Sequence, residues 1–189
     1  MPLPMPRLSH SPTPVRLAAI ALLAIAFASG AAHAAGEPRC RVVAGGGVAG
    51  PAPAGTDADF WNRLNFAFYD GAQYALSETG RPTENLFHVV GSPQAARVEE
   101  DAKARLAQAG CDEVIRVAVF GDDTASPIEI VFRITSTLQS ASSSSSSSST
   151  PRYQHEYRYP VNPDVEREVH PGALGAKAVA DYLEAVGVK

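Results

Sequence analysis

The chain has 189 residues with 16 basic and 20 acidic side chains, a formal charge of −4. That is one domain's length with a mildly acidic balance and no basic run, which argues against nucleic acid or anionic lipid as the main partner. Hydrophobic residues make up 45%, enough to build a core and too many for a disordered chain.

The first 34 residues read as an address. Arg7 and Arg16 precede an apolar run from Leu17 to Ala28, and Ala32-His33-Ala34 offers the small-x-small pattern of a cleavage site. A basic region, a short apolar core and small residues in that order describe a secretory signal peptide. The run is too short to span about 30 Å of hydrocarbon. The expectation is cleavage after Ala34, a mature protein of residues 35–189 in the periplasm or outside the cell, and no membrane anchor in the mature chain. Without Arg7 and Arg16, 14 basic face 20 acidic residues, a charge of −6.

Two cysteines are present, Cys40 and Cys111. An even count in an exported chain predicts a disulfide. Two cysteines so far apart lack the ligand spacing of a zinc site, so no metal is expected from them. Glu37-Pro38-Arg39 before Cys40 departs from a lipid-attachment site.

A short strand is predicted over Cys40 to Ala44, followed by a flexible Gly/Pro loop at 45–55. Gly45-Gly46-Gly47 lacks the Gly-Lys-Ser/Thr ending of a phosphate loop. From Asp57 the pattern turns helical, with Phe60, Leu64, Phe68, Ala72 and Leu76 on one stripe, and Gly80-Arg81-Pro82 stops it. Leu86 to Val90 reads as a strand. Ser92-Pro93 predicts the start of a second helix, and Gly110 its left-handed end.

Glu113 to Phe120 is a valine- and isoleucine-rich strand, and Gly121-Asp122-Asp123 a turn. Ile128 to Leu138 alternates strictly, with Ile128, Ile130, Phe132 and Ile134 on one side and Glu129, Val131, Arg133 and Thr135 on the other. Arg152 to Val161 alternates likewise, and the two strands should form an antiparallel hairpin. Between them residues 140–150 hold eight consecutive serines, predicted to be a disordered tip. Asn162 to Pro171 reads as a polar connection, and from Gly172 the chain is helical again.

Early strands alternating with helices imply parallel pairing, and the late hairpin adds antiparallel strands. The predicted fold is a single mixed α/β domain, five strands packed by about three helices. In it, Cys40 and Cys111 each precede one of two neighbouring parallel strands, so a Cys40–Cys111 bond is geometrically consistent.

Leu106 to Ile115, with its helix ending in Gly110-Cys111-Asp112, leads into an alternating strand and then Tyr153 to Pro160. In this element order the chain resembles the small α/β domain of bacterial envelope proteins: the amino-terminal domain of the Tol–Pal translocation protein, and the lipoproteins that activate peptidoglycan synthases. The resemblance carries over no binding residue. It implies a non-catalytic adaptor with an envelope protein as candidate partner.

No catalytic constellation is legible. His88, His155 and His170 share no ligand spacing, no Gly-x-Ser-x-Gly elbow is present, and neighbouring acids such as Asp122-Asp123 point apart. No cofactor or metal is expected. Trp61, Phe66, Tyr69, Tyr153, Tyr157 and Tyr159 form a candidate interaction surface, set against the plainer reading that they cover the helices. The leading expectation is therefore an exported, non-catalytic binding or scaffolding protein of the envelope. The alternative is a small secreted hydrolase or ligand-binding enzyme, its site at the strand ends near Gly45, Gly91 and Gly121 and lined by His88 or Asp122.

Overall fold

A computed structural model describes residues 39–47, 58–139, 151–162 and 164–188. The signal segment, most of the 45–55 loop and the serine tract lie outside them. In chain order the elements are β1 (Arg41–Gly46), α1 (Ala58–Ser77), β2 (Thr83–His88), α2 (Val98–Ala109), β3 (Glu113–Asp122), β4 (Glu129–Leu138), β5 (Tyr153–Pro160), α3 (Val165–Val169) and α4 (Pro171–Ala185). Among the described residues no helix is long and apolar enough to cross a membrane.

The strands form one mixed sheet in the order β2-β1-β3-β4-β5. β1 pairs parallel with β2 and β3, whereas β3, β4 and β5 run antiparallel. This is the expected mixed α/β class. Because β1 is central to the parallel part, the chain must cross the sheet once on each face. α1 crosses on one side and α2 on the other.

The period-two rule sorts the side chains between these faces. Val43, Ile115, Val117, Ile130, Phe132 and Ile134 point to α1 and α4 and form the main core with Trp61, Leu64, Phe68 and Tyr182. Val42, Ala44 and Cys111 point the other way, against Val98, Ala102 and Leu106 of α2. That second core covers one half of its face.

α1 and α4 pack closely because glycines line their seam. A Cβ on Gly175 would collide with the Phe68 carbonyl oxygen, and one on Gly71 with that of Gly172. Asn65 ties α1 to the sheet: its amide donates to Val119 O and its Oδ1 accepts from Val119 N, each at 2.9 Å. Asn65 is therefore a buried polar group with both ends satisfied.

Several boundaries differ from the sequence reading. Gly45 and Gly46 belong to β1 and not to the loop, paired with Phe87 and His88 of β2. The missing side chain at Gly45 admits the Tyr69 ring. β2 starts at Thr83 and ends at His88, because its extent is set by pairing to β1. Ser92 makes no cap; a 3-10 turn over Ala95–Arg97 intervenes before α2. The polar connection contains α3, a five-residue helix whose Val165 is buried.

Cys40 and Cys111 are disulfide-bonded, with Cα atoms 4.7 Å apart. They precede the neighbouring parallel strands β1 and β3, in register from Arg41 opposite Glu113.

Candidate functional site

The aromatic set does not form one surface. Trp61 is 2% and Tyr69 6% exposed, so both are core residues, and the expectation that they join an interaction surface is corrected. Helix α1 is buried more widely than its single stripe suggests, since it lies between the sheet and α4. Tyr153, Tyr157 and Tyr159 are half-buried on the α4 side of β5. Tyr157 Oη donates to Asp181 Oδ2 at 2.5 Å, and the Tyr153 ring meets Tyr182 edge-on at 5.5 Å. These tyrosines seat α4 on the edge strand. Burial, and then the bond to Asp181, push the Tyr157 hydroxyl well above the ordinary tyrosine range. Only Phe66 of the six is largely exposed, at 55%, resting edge-on against Phe87.

His88 and Asp122, the residues named for an enzyme site, lie apart from each other's partners. His88 Nε2 is 3.0 Å from Asp101 Oδ2 of α2. Asp122 receives Thr124 and the Arg158 guanidinium, which together hold its carboxyl down at about 2. Among the described residues no cluster of three or more His, Cys, Asp or Glu side chains could hold a metal ion.

A groove of about 350 Å³ opens instead on the α2 face of the sheet. α2 packs over β1 and β2 and only grazes β3, so the outer faces of β3 and β4 form the groove floor and α2 its wall. Three kinds of side chain line it. Val114, Ala102, Ala118 and Phe120 are apolar; Thr135, Thr137 and Gln139 are neutral hydrogen-bonding groups; Lys103, Arg116, Arg133 and Glu99 are charged.

Strand register fixes this assembly. Arg116 lies opposite Thr135, Ala118 opposite Arg133 and Val114 opposite Thr137. Arg116 is pinned by backbone: Nη1 donates to Ala44 O at 3.2 Å and Val117 O at 2.7 Å, and Nη2 to Gly46 O at 2.6 Å. Desolvation pulls its guanidinium down to about 10, with Glu99 opposing that shift. Arg133 lies over the Phe120 ring, 4.5 Å from its centre, and pairs with Glu156 of β5 at 2.6 Å. Arg158 completes a chain of charges along β5, bonded to Glu156, Asp122 and Glu129.

The sequence reading missed these residues. The signal was there in β3: Val114, Arg116, Ala118 and Phe120 alternate with Ile115, Val117 and Val119. A lone arginine on the less apolar side of an otherwise apolar strand marks a face that helices do not cover completely. Reading the segment as a valine- and isoleucine-rich strand, without sorting its two faces, concealed it.

A second charged cluster sits at the other end of the same strands. Arg41 and Glu113 are register partners, both fully buried, on the α4 side. Glu113 Oε1 accepts from Ser136 Oγ and Tyr182 Oη, each at 2.5 Å. Among the described residues the Arg41 guanidinium makes no hydrogen bond. Burial first, and the Glu113 carboxylate second, raise the Tyr182 hydroxyl well above its ordinary value. This cluster is enclosed by the core and serves the fold.

Comparison with known proteins adds little. No protein-family model matches the chain, and no curated protein does. Among solved structures, it is similar to a PelC variant dodecamer from Paraburkholderia phytofirmans, at 12% identity and a TM-score of 0.38, over 80% of this chain and 89% of that one.

Proposed function

We propose that the protein is an exported, non-catalytic binding or scaffolding component of the cell envelope, and that the groove beside α2 is its binding face. The observation that carries this reading is the groove's chemistry. Its described lining offers fixed cations, amide and hydroxyl donors and an apolar floor, the groups that hold a ligand.

Two further facts support export. The Cys40–Cys111 bond suits an oxidising compartment, and residues 1–34 carry the basic, apolar and small-residue order of a signal peptide. The resemblance to envelope adaptor domains agrees with both. The enzyme reading gains nothing from the groove, which neither His88 nor Asp122 lines.

The test is recovery of the tagged full chain from an envelope fraction, beside a Thr135→Arg variant that fills the groove. The expected result is that associated envelope components co-purify with the parent and are lost with the variant. Hydrolytic turnover of ester, peptide or glycoside reporters by the parent, abolished by Thr135→Arg, would overturn the non-catalytic reading.

A further inference from the structure

We propose that the groove between α2 and the outer faces of β3 and β4 binds a small organic monocarboxylate, its carboxylate gripped by Arg116 and Lys103 and its apolar body laid on Val114 and Ala102. This deepens the binding reading above and rests on it.

Charge selects the ligand class. Arg133 is already neutralised by Glu156 at 2.6 Å. Among the described residues Arg116 reaches only backbone carbonyl oxygens, and Lys103, exposed on α2, has no ion-pair partner. Against these two cations the groove sets one acid, Glu99. One positive charge is left over, which a monoanion balances and a dianion overshoots.

Geometry selects the carboxylate. A guanidinium carries five N–H groups in a planar fork. Three of those on Arg116 are spent on Ala44, Gly46 and Val117, leaving one on Nε and one on Nη2. Those two atoms form the side-on pair that a carboxylate grips bidentately. The backbone clamps hold the fork still, so little rotamer freedom is lost on binding. The same guanidinium is desolvated enough to be held at about 10, and a bound carboxylate would offset that cost of burial.

Size and polarity select the body. A volume of about 350 Å³ falls at the small end of ligand pockets, roughly 300–1,000 Å³. The Arg133–Phe120 stack closes one end, and Thr137 and Gln139 offer hydrogen bonds at the other.

The experiment is an NMR titration of the isotope-labelled full chain with 4-phenylbutyrate, its alcohol 4-phenylbutanol, and inorganic phosphate. The expected result is saturable movement of the Arg116, Thr135 and Thr137 amides by the carboxylate, with the alcohol and phosphate at least about tenfold weaker, the size expected when one charge-assisted contact is lost. Arg116→Met should abolish the effect, but Arg116 also ties β3 to β1. Lys103→Glu therefore carries the test: its side chain is exposed on α2, the thermal midpoint should hold, and 4-phenylbutyrate affinity should again fall at least about tenfold. Equal binding of the alcohol, unmoved groove amides, or unchanged affinity in Lys103→Glu would each overturn the proposal. Should the groove amides stay unmoved while Thr135→Arg still strips envelope components, the ligand class is wrong and the binding reading stands.

Discussion

At the scale of single residues, the core encloses two charged side chains, Arg41 and Glu113, that are strand neighbours. Among the described residues the Arg41 guanidinium and Glu113 Oε2 have no hydrogen bond, while Glu113 Oε1 accepts from Ser136 Oγ and Tyr182 Oη. Removing that acceptor would leave the two buried hydroxyls without it, at a cost of about 1–3 kcal/mol each. Glu113→Leu should therefore lower the free energy of unfolding in urea, by at least about 1 kcal/mol. A Glu113→Leu protein as stable as the parent would show that the Ser136 and Tyr182 hydroxyls do not depend on this carboxylate.

Three carboxylates, two on the sheet and one on α4, set the acid limit. Thr124 and Arg158 hold Asp122 at about 2. Lys177 and then Tyr157 hold Asp181 below its ordinary value. Glu156 is raised by burial but lowered more by Arg158 and Arg133, ending below the usual range. For a depressed acid, the folded state binds fewer protons than the unfolded one, so the stabilisation is complete above the unfolded pKa of about 4 and is lost as pH falls toward the folded value. The thermal midpoint should stay level from neutral pH down to about 5 and decline between about 4 and 2, less steeply in high salt. A midpoint that does not move across that acid interval would refute the assigned network.

At the scale of elements, the disulfide and the α1–α4 seam make the sharpest claims. Closing a loop across a sequence separation of 71 should stabilise by about 4 kcal/mol on the chain-entropy account. Replacing Cys40 and Cys111 together by Ser should lower the thermal midpoint by roughly 8–16 °C, at about 2–4 °C per kcal/mol for a domain of this size. Gly175→Ala would push a methyl group into the Phe68 carbonyl and should cost about 1–3 kcal/mol by overpacking, seen as a lower urea midpoint at constant slope. An unchanged midpoint would mean the two helices are not in this close contact.

These elements also show what the sequence makes legible and what it hides. β4 was readable because its two faces differ: Ile130, Phe132 and Ile134 meet a core, and Arg133 and Thr135 do not. The disulfide followed from the order of elements, since both cysteines precede strands that pair. The groove was not legible, because it depends on how far α2 reaches across the sheet, a tertiary fact that no local period encodes. α3 was hidden for another reason: five residues are too few for a helical period to emerge from Val165 and Val169. Trp61 and Tyr69 misled because a helix buried on two sides looks, in sequence, like one waiting for a partner.

At the scale of the whole molecule, one face of the sheet is sealed by α1 and α4 and the other is half open beside α2. The tight core, the disulfide and the charge chain along β5 hold that open face in a fixed shape, and such rigidity favours recognition because less ordering is needed on binding. The most direct measurement is the intact mass, without reductant, of protein recovered by osmotic shock from cells expressing the full chain. The account predicts a chain beginning at Ala35 and lighter by two hydrogens than its reduced form. A chain that keeps residues 1–34, carries two free thiols and remains with the cytoplasm would contradict it.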